Sequence, residues 1–261
     1  TLQEAHRARF GSLAGLLVQQ NAEILSAVAT ARCVTKSPKI IYGSVSCPLD
    51  MRTGMSATGA PEFSLMGAGA IQLAKYYGLP SNMGVQSDSK TVDAQTAYEK
   101  AISATVAILS GADFSDLFFG STEAFNTFSP VQAVIDDEVA ASIFRIAQGI
   151  EVSEASLSVA VISRTGPMGN YLKQRDTIAR FRKEHYSPKL SDRMAREKWS
   201  TSGAKDAKQR AKERMVELLN SHTPEPLETD VRKSIDSILK EYSKSIGADV
   251  LEKRRQITLK G

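Results

Sequence analysis

Three short polar segments carry the side chains with which this chain could do chemistry. In the run from Ser44 to Glu62, Asp50 and Arg52 set a carboxylate and a guanidinium two residues apart, a pair suited to recognising a small ion or to bridging each other. The second segment, Gly84-Val85-Gln86-Ser87-Asp88-Ser89-Lys90, lines up an amide, hydroxyls, a carboxylate and an ammonium. Gln86, Asp88 and Lys90 are its site candidates, while Ser87, Asp88 or Ser89 could equally cap a following helix. The third, Phe118 to Phe128, places four phenylalanines around the single carboxylate of Glu123. Rings at that density serve a core, or else a box whose faces attract a quaternary ammonium.

Each segment follows a stretch that reads as a short buried strand. Lys39 to Gly43, Pro80 to Val85 and Phe114 to Phe119 are candidate strands. Between and around them run helical periodicities: Ser12 to Val34, Pro61 to Tyr77, Asp93 to Leu109, and a helix opened by Ser129-Pro130 and ending before Gly149. Strands starting near 39, 80 and 114 and alternating with helices imply a parallel sheet, with active groups on the loops after the strands. After Arg164 the pattern turns to polar helices, expected over 171–186, 192–219 and 227–246, with breaks at Gly166-Pro167 and between Ser221 and Pro226. The chain therefore reads as two domains, 1–164 and 165–261.

Charge separates the same two parts. Residues 1–164 hold 11 Lys/Arg against 15 Asp/Glu, a balance of −4, and 165–261 hold 22 against 14, a balance of +8. The basic part interleaves acids and shows no helix-turn-helix or stacking-aromatic pattern, so a solvated helical face is expected rather than a nucleic-acid surface. No apolar run approaches the roughly 20 residues of a membrane span. Cys33 and Cys47 read as reduced thiols of a cytoplasmic protein, and with His6, His185 and His222 scattered, no metal site is expected. Neither GxGxxG, GxxxxGK[ST] nor GxSxG is present, which argues against dinucleotide dehydrogenases, P-loop ATPases and serine hydrolases.

Six segments in order carry a resemblance: Tyr42-Gly43-Ser44, Asp50-Met51-Arg52-Thr53-Gly54, Gly59-Ala60-Pro61-Glu62, Tyr76-Tyr77-Gly78-Leu79-Pro80, Ser87-Asp88-Ser89-Lys90 and Asp136-Asp137-Glu138. Together they resemble the trimethylamine methyltransferase family, in its branch without pyrrolysine, over roughly nine tenths of the chain and the second half of the family's length. The resemblance implies an α/β fold of the (β/α)8 TIM-barrel type, here a partial barrel with a helical extension. It implies transfer of a methyl group from a methylated amine, such as trimethylamine or glycine betaine, to the Co(I) of a corrinoid on a partner protein. No Asp-x-His-x-x-Gly signature is present, so no cofactor is expected to be held directly. On that picture Asp88 and Glu123 lie near the substrate cation as the catalytic candidates, Tyr42 and Phe119 are ring walls, and Arg52 meets a substrate carboxylate or an internal partner. Around Ser115-Asp116-Leu117 the chain departs from the His-Asp pair common in the family. Open strand edges would favour self-association. A non-catalytic half barrel that binds or supports is the alternative.

Overall fold

The computed structural model describes residues 12–116 and 118–245. His6, Leu117 and Ile246 of the readings above lie outside them. Helix α1 (Leu13–Val34) starts at Ser12, whose hydroxyl accepts the Gly15 N–H, and it buries Leu16 and Gln20. Strand β1 (Tyr42–Ser44) follows, then α2 (Pro61–Tyr76), β2 (Ser81–Gly84), α3 (Ala94–Ser110) and β3 (Phe114–Asp116). Pro61 opens α2 at the first helical position, where its missing N–H costs nothing, and left-handed Gly111 closes α3.

The three strands form a parallel sheet in the order β1-β2-β3, pairing Tyr42 with Ser81, Gly43 with Asn82, and Gly84 with Asp116. They differ from the expected runs: β2 keeps all but the two ends of its run, β1 takes only the end of Lys39 to Gly43 and goes on to Ser44, and β3 takes the start of its run. Alternation along a strand gives the sheet two faces. Tyr42 and Met83 turn to the helices: Tyr42 packs with Ala70 and Ala74, and Met83 with Ile71 and Ala107. Gly67 of α2 lets that helix lie close, since a Cβ there would strike the Met83 side chain. The opposite face carries Gly43, Asn82, Gly84 and Asp116, where Asn82 donates to Asp116 across the strands at 3.0 Å. Among the described residues the outer sides of β1 and β3 pair with no strand.

The stretch expected as a plain loop after β3 contains an antiparallel hairpin, β4 (Ser121–Thr122) and β5 (Thr127–Phe128), ahead of α4 (Pro130–Ala147). Two-residue strands are too short to leave an alternating signature. Among the described residues beyond Gly149 every regular element is helical: α5 (Glu154–Leu157), α6 (Val159–Thr165), a 3-10 turn at Tyr171–Lys173, α7 (Arg175–Glu184), α8 (Arg196–Thr201), α9 (Ala207–Ser221) and α10 (Thr229–Ser245). The single helix expected over 192–219 is two, because Gly203 and Ala204 take positive φ and the Trp199 indole donates to Lys205 O. By contacts the chain forms two compact units, Thr1–Val216 and Glu217–Gly261. No helix among the described residues is long and apolar enough to cross a membrane.

Candidate functional site

The loops after β1, β2 and β3 are joined to one another through the shortest of them. Loop 2 leaves β2 at Val85, and its Asp88 carboxylate reaches back into loop 1. There it accepts the Thr58 N–H at 2.9 Å, the Thr58 hydroxyl at 2.7 Å and the Gly59 N–H at 2.9 Å. Glu99, from α3, holds loop 2 from below by accepting the Ser87 hydroxyl at 2.7 Å and the Asp88 N–H at 2.9 Å, with Gln95 on its other oxygen at 2.8 Å. Gly59 sits against that carboxylate, and any Cβ there would lie 2.4 Å from it. Only glycine lets loop 1 approach so closely.

Loop 3 completes the set. The N–H groups of Glu123 and Ala124 donate to the carbonyls of Ser89 and Ser87, both at 2.9 Å. To present them, Glu123, Ala124 and Phe125 all take left-handed backbone, with φ of 53°, 48° and 76°. Non-glycine residues pay about 1 kcal/mol or more each for that conformation, and it persists only where the surroundings fix it. The Glu123 carboxylate accepts the Thr127 hydroxyl at 2.7 Å across the hairpin.

Beneath loop 3 lies a fully buried ion pair. Lys100 of α3 donates to Asp136 of α4 at 2.7 Å and to the Phe118 carbonyl, and Asp136 also takes the Gly120 N–H at 2.7 Å and the Gln132 amide at 2.8 Å. Burial pulls Lys100 below the usual lysine range and pushes Asp136 above the usual carboxylate range, each opposed by the attraction of the other. Two helices thus clamp the point where the chain leaves β3.

The positions of the sequence candidates differ sharply. Asp88 and Glu123 come together in the interlocked loops, and Gln86 is fully buried at the foot of loop 2. Lys90 is exposed and donates to the Asp88 carbonyl at 2.7 Å. The capping role considered for Ser87, Asp88 or Ser89 belongs instead to Asp93, which accepts the Thr96 N–H; that bond comes first among those that hold its carboxyl below the usual range. Tyr42 is no ring wall: it is wholly buried on the helix side of the sheet, stacked on Tyr77 at 6.2 Å, with its hydroxyl donating to Asn21. Burial raises its phenol. The aromatic box does not assemble either. Phe118 enters the core with Val85, Ala104 and Ile143, whereas Phe119, Phe125 and Phe128 are exposed, and the ring contact in this loop is Phe118 with Phe119 at 5.0 Å.

Asp50 and Arg52 form a local turn at the tip of loop 1. Asp50 accepts the Arg52 N–H at 2.8 Å, which lowers its carboxyl, and the guanidinium stands 3.7 Å away with 92% of the side chain exposed. Sequence reasoning passed over Glu99 and Lys100, which sit inside an ordinary helical pattern, and over the Asn82–Asp116 pair, whose members lie 34 residues apart. No group of three or more Cys, His, Asp or Glu able to hold a metal occurs among the described residues.

Comparison with known proteins shows the family. The family model described as trimethylamine methyltransferase (MTTB) matches residues 11–247. A glycine betaine methyltransferase of Desulfitobacterium hafniense (strain Y51) is 34% identical over 239 residues, which make up 91% of this chain and 50% of that protein. A trimethylamine methyltransferase MttB of Desulfitobacterium hafniense (strain DSM 10664 / DCB-2) is 36% identical over 90% of this chain and 47% of its own length, and one from Methanosarcina thermophila is 36% identical over 86% and 46%. The chain spans about half the length of these relatives. It belongs to the trimethylamine methyltransferase family.

Proposed function

We propose that this chain is part of a methyltransferase that moves a methyl group from a methylated amine to a corrinoid carried by a separate protein. The observation that carries the reading is the linkage of three strand-end loops through Ser87, Asp88 and Ser89, in a chain that belongs to this family. Such loops at the C-terminal ends of parallel strands are where barrel enzymes do their chemistry. The fold is read as part of a (β/α)8 barrel whose further strands extend the sheet beyond β1 and β3.

Co(I), when the partner presents it, supplies the nucleophile that accepts the methyl group. What falls to this chain is position: holding the amine so that its carbon and nitrogen line up with the incoming acceptor, and keeping water out. Asp88 serves by fixing loop 1 over the site rather than by touching the amine, since both of its oxygens are taken. Glu123 supplies negative charge at the rim, which favours a cation without gripping it after its charge has been lost.

The test is the appearance of methyl-cobalt absorbance when the full-length protein meets a reduced corrinoid protein and trimethylamine or glycine betaine. Transfer from either amine supports the reading, and its absence with all methylated amines overturns it. Binding of betaine or trimethylamine by calorimetry with no turnover would instead mark a non-catalytic half barrel.

A further inference from the structure

Glu99 and Lys100, consecutive residues of α3, are both buried, and each ends on a different loop. Lys100 takes loop 3 by the Phe118 carbonyl and, through Asp136, by the Gly120 N–H. Glu99 takes loop 2. Its Oε2 accepts both the Ser87 hydroxyl and the Asp88 N–H, and the Ser87 oxygen in turn accepts the Ser89 N–H at 3.1 Å. Ser87, Asp88 and Ser89 are the three residues by which loop 2 grips its neighbours, so one carboxylate fixes all three, directly or at one remove.

The two neighbours depend on that carboxylate unequally. Loop 3 has the second anchor from Lys100 and Asp136, which does not pass through loop 2. In loop 1, Thr58 and Gly59 are tied to Asp88, and Gly59 also lies against the Glu99 carboxylate, too close to admit any Cβ. A shift of Glu99 therefore moves loop 1 more than loop 3. None of these contacts requires a negative charge. The oxygen of a glutamine at 99 can accept the same hydroxyl and N–H, and the half-buried Gln95, which donates to Glu99 Oε1, can turn its own oxygen toward the new NH2. Geometry and charge are separable at this position.

We propose that Glu99 is a positioning residue for methyl transfer: it sets loop 1 over the amine by fixing loop 2, and it acts through geometry rather than charge. The inference rests on the proposed methyl transfer and gives a helix residue that touches no substrate a part in the rate. Misplacing an aligning group by about 1 Å can cost about a hundredfold. Gly59 does not use positive φ, so alanine there suits the backbone and adds only the methyl group that meets Glu99.

Methyl-transfer kinetics of the full-length protein test this on wild type, Glu99→Gln, Glu99→Ala, Gly59→Ala and the double variant Gly59→Ala/Glu99→Ala, with Tm and amide hydrogen exchange at positions 58 and 59 recorded for each. The expected result is a fall in kcat of at least about tenfold in Glu99→Ala and in Gly59→Ala, with a smaller change in KM. Glu99→Gln should stay within about threefold of wild type, since it loses charge assistance and keeps the acceptors. The double variant should be no slower than Glu99→Ala, because removing the carboxylate makes room for the added methyl group. A residue that served stability alone would lower Tm and leave the kcat of folded enzyme at the wild-type value. Wild-type kcat in folded Glu99→Ala, equal losses in Glu99→Gln and Glu99→Ala, or losses that multiply in the double variant overturn the proposal. If Glu99→Ala does not fold, the other single variants decide: a slow Gly59→Ala beside an active Glu99→Gln supports it, and any other pairing overturns it. Should wild type transfer no methyl group, the proposed function falls and hydrogen exchange tests the coupling by itself. Faster exchange at 58 and 59 in Gly59→Ala but not in Glu99→Gln upholds the coupling, and wild-type exchange in both overturns it.

Discussion

The loops above the sheet and the helices that follow Gly149 spend their charges differently. In and beneath the loops Asp88, Glu99 of α3 and Asp136 of α4 each accept three hydrogen bonds, loop N–H groups among them, so a carboxylate fixes backbone geometry. In the helices Lys183 pairs with Glu151, Lys205 with Glu213 and Arg180 with Asp176, all at least partly in solvent. Exposed pairs of that kind contribute about 0–1 kcal/mol each. The contrast teaches where precision is needed: charge is buried in the region that presents a site, and displayed in the region that only has to stay solvated.

Five substitutions break or sharpen that contrast. Replacing Lys100 with Met strands the Asp136 carboxylate in the interior and should cost about 3–5 kcal/mol in denaturant unfolding. Lys100→Met with Asp136→Leu should recover much of the loss, because no charge is then left unpaired. Asp88→Ala removes three hydrogen bonds and leaves the Thr58 and Gly59 N–H groups without acceptors, for about 1–3 kcal/mol and a large fall in methyl transfer.

Glu138 lies between the two styles. It accepts the N–H groups of Lys189, Leu190 and Ser191 and the Ser191 hydroxyl, at 3.0, 3.2, 3.3 and 2.9 Å, docking that segment on α4. Burial raises its pKa, but those donors together outweigh burial and hold it below the usual glutamate range. A folded pKa below the unfolded one gives stability that is complete at neutral pH and fades as pH falls through and below about 4.3. Glu138→Gln should lower stability by about 1–2 kcal/mol at pH 7, and the gap to wild type should close in acid, as unfolding midpoints from pH 3 to 7 will report. The smallest effect belongs to Arg52→Ala, at the exposed tip of loop 1, which should change stability by less than about 0.5 kcal/mol.

Much of this framework is legible in the residues. Pro61, Ser129-Pro130 and Gly111 announce helix ends through local chemistry, and the apolar spacing locates α1 to α4 within a few positions. The alternation of strand and helix also places the three loops after their strands. What a single chain conceals is direction. Asp136, Asp137 and Glu138 read as one acidic run, yet Asp136 turns inward to Lys100, Glu138 turns to residues 189–191, and Asp137 is exposed. Tyr42 misleads for the same reason, since its side of the strand is set by α1 and α2 rather than by its neighbours in sequence. The hairpin after β3 is hidden because its turn depends on carbonyls of loop 2.

Amide hydrogen exchange on wild type, Asp88→Ala and Arg52→Ala tests most directly whether loop 2 binds its neighbours into one unit. Protection at Thr58 and Gly59 should collapse in Asp88→Ala and weaken at Glu123 and Ala124, while Arg52→Ala leaves all four unchanged. Full protection at Thr58 and Gly59 without the Asp88 carboxylate would mean that the loops stand independently, and the shared site would lose its foundation.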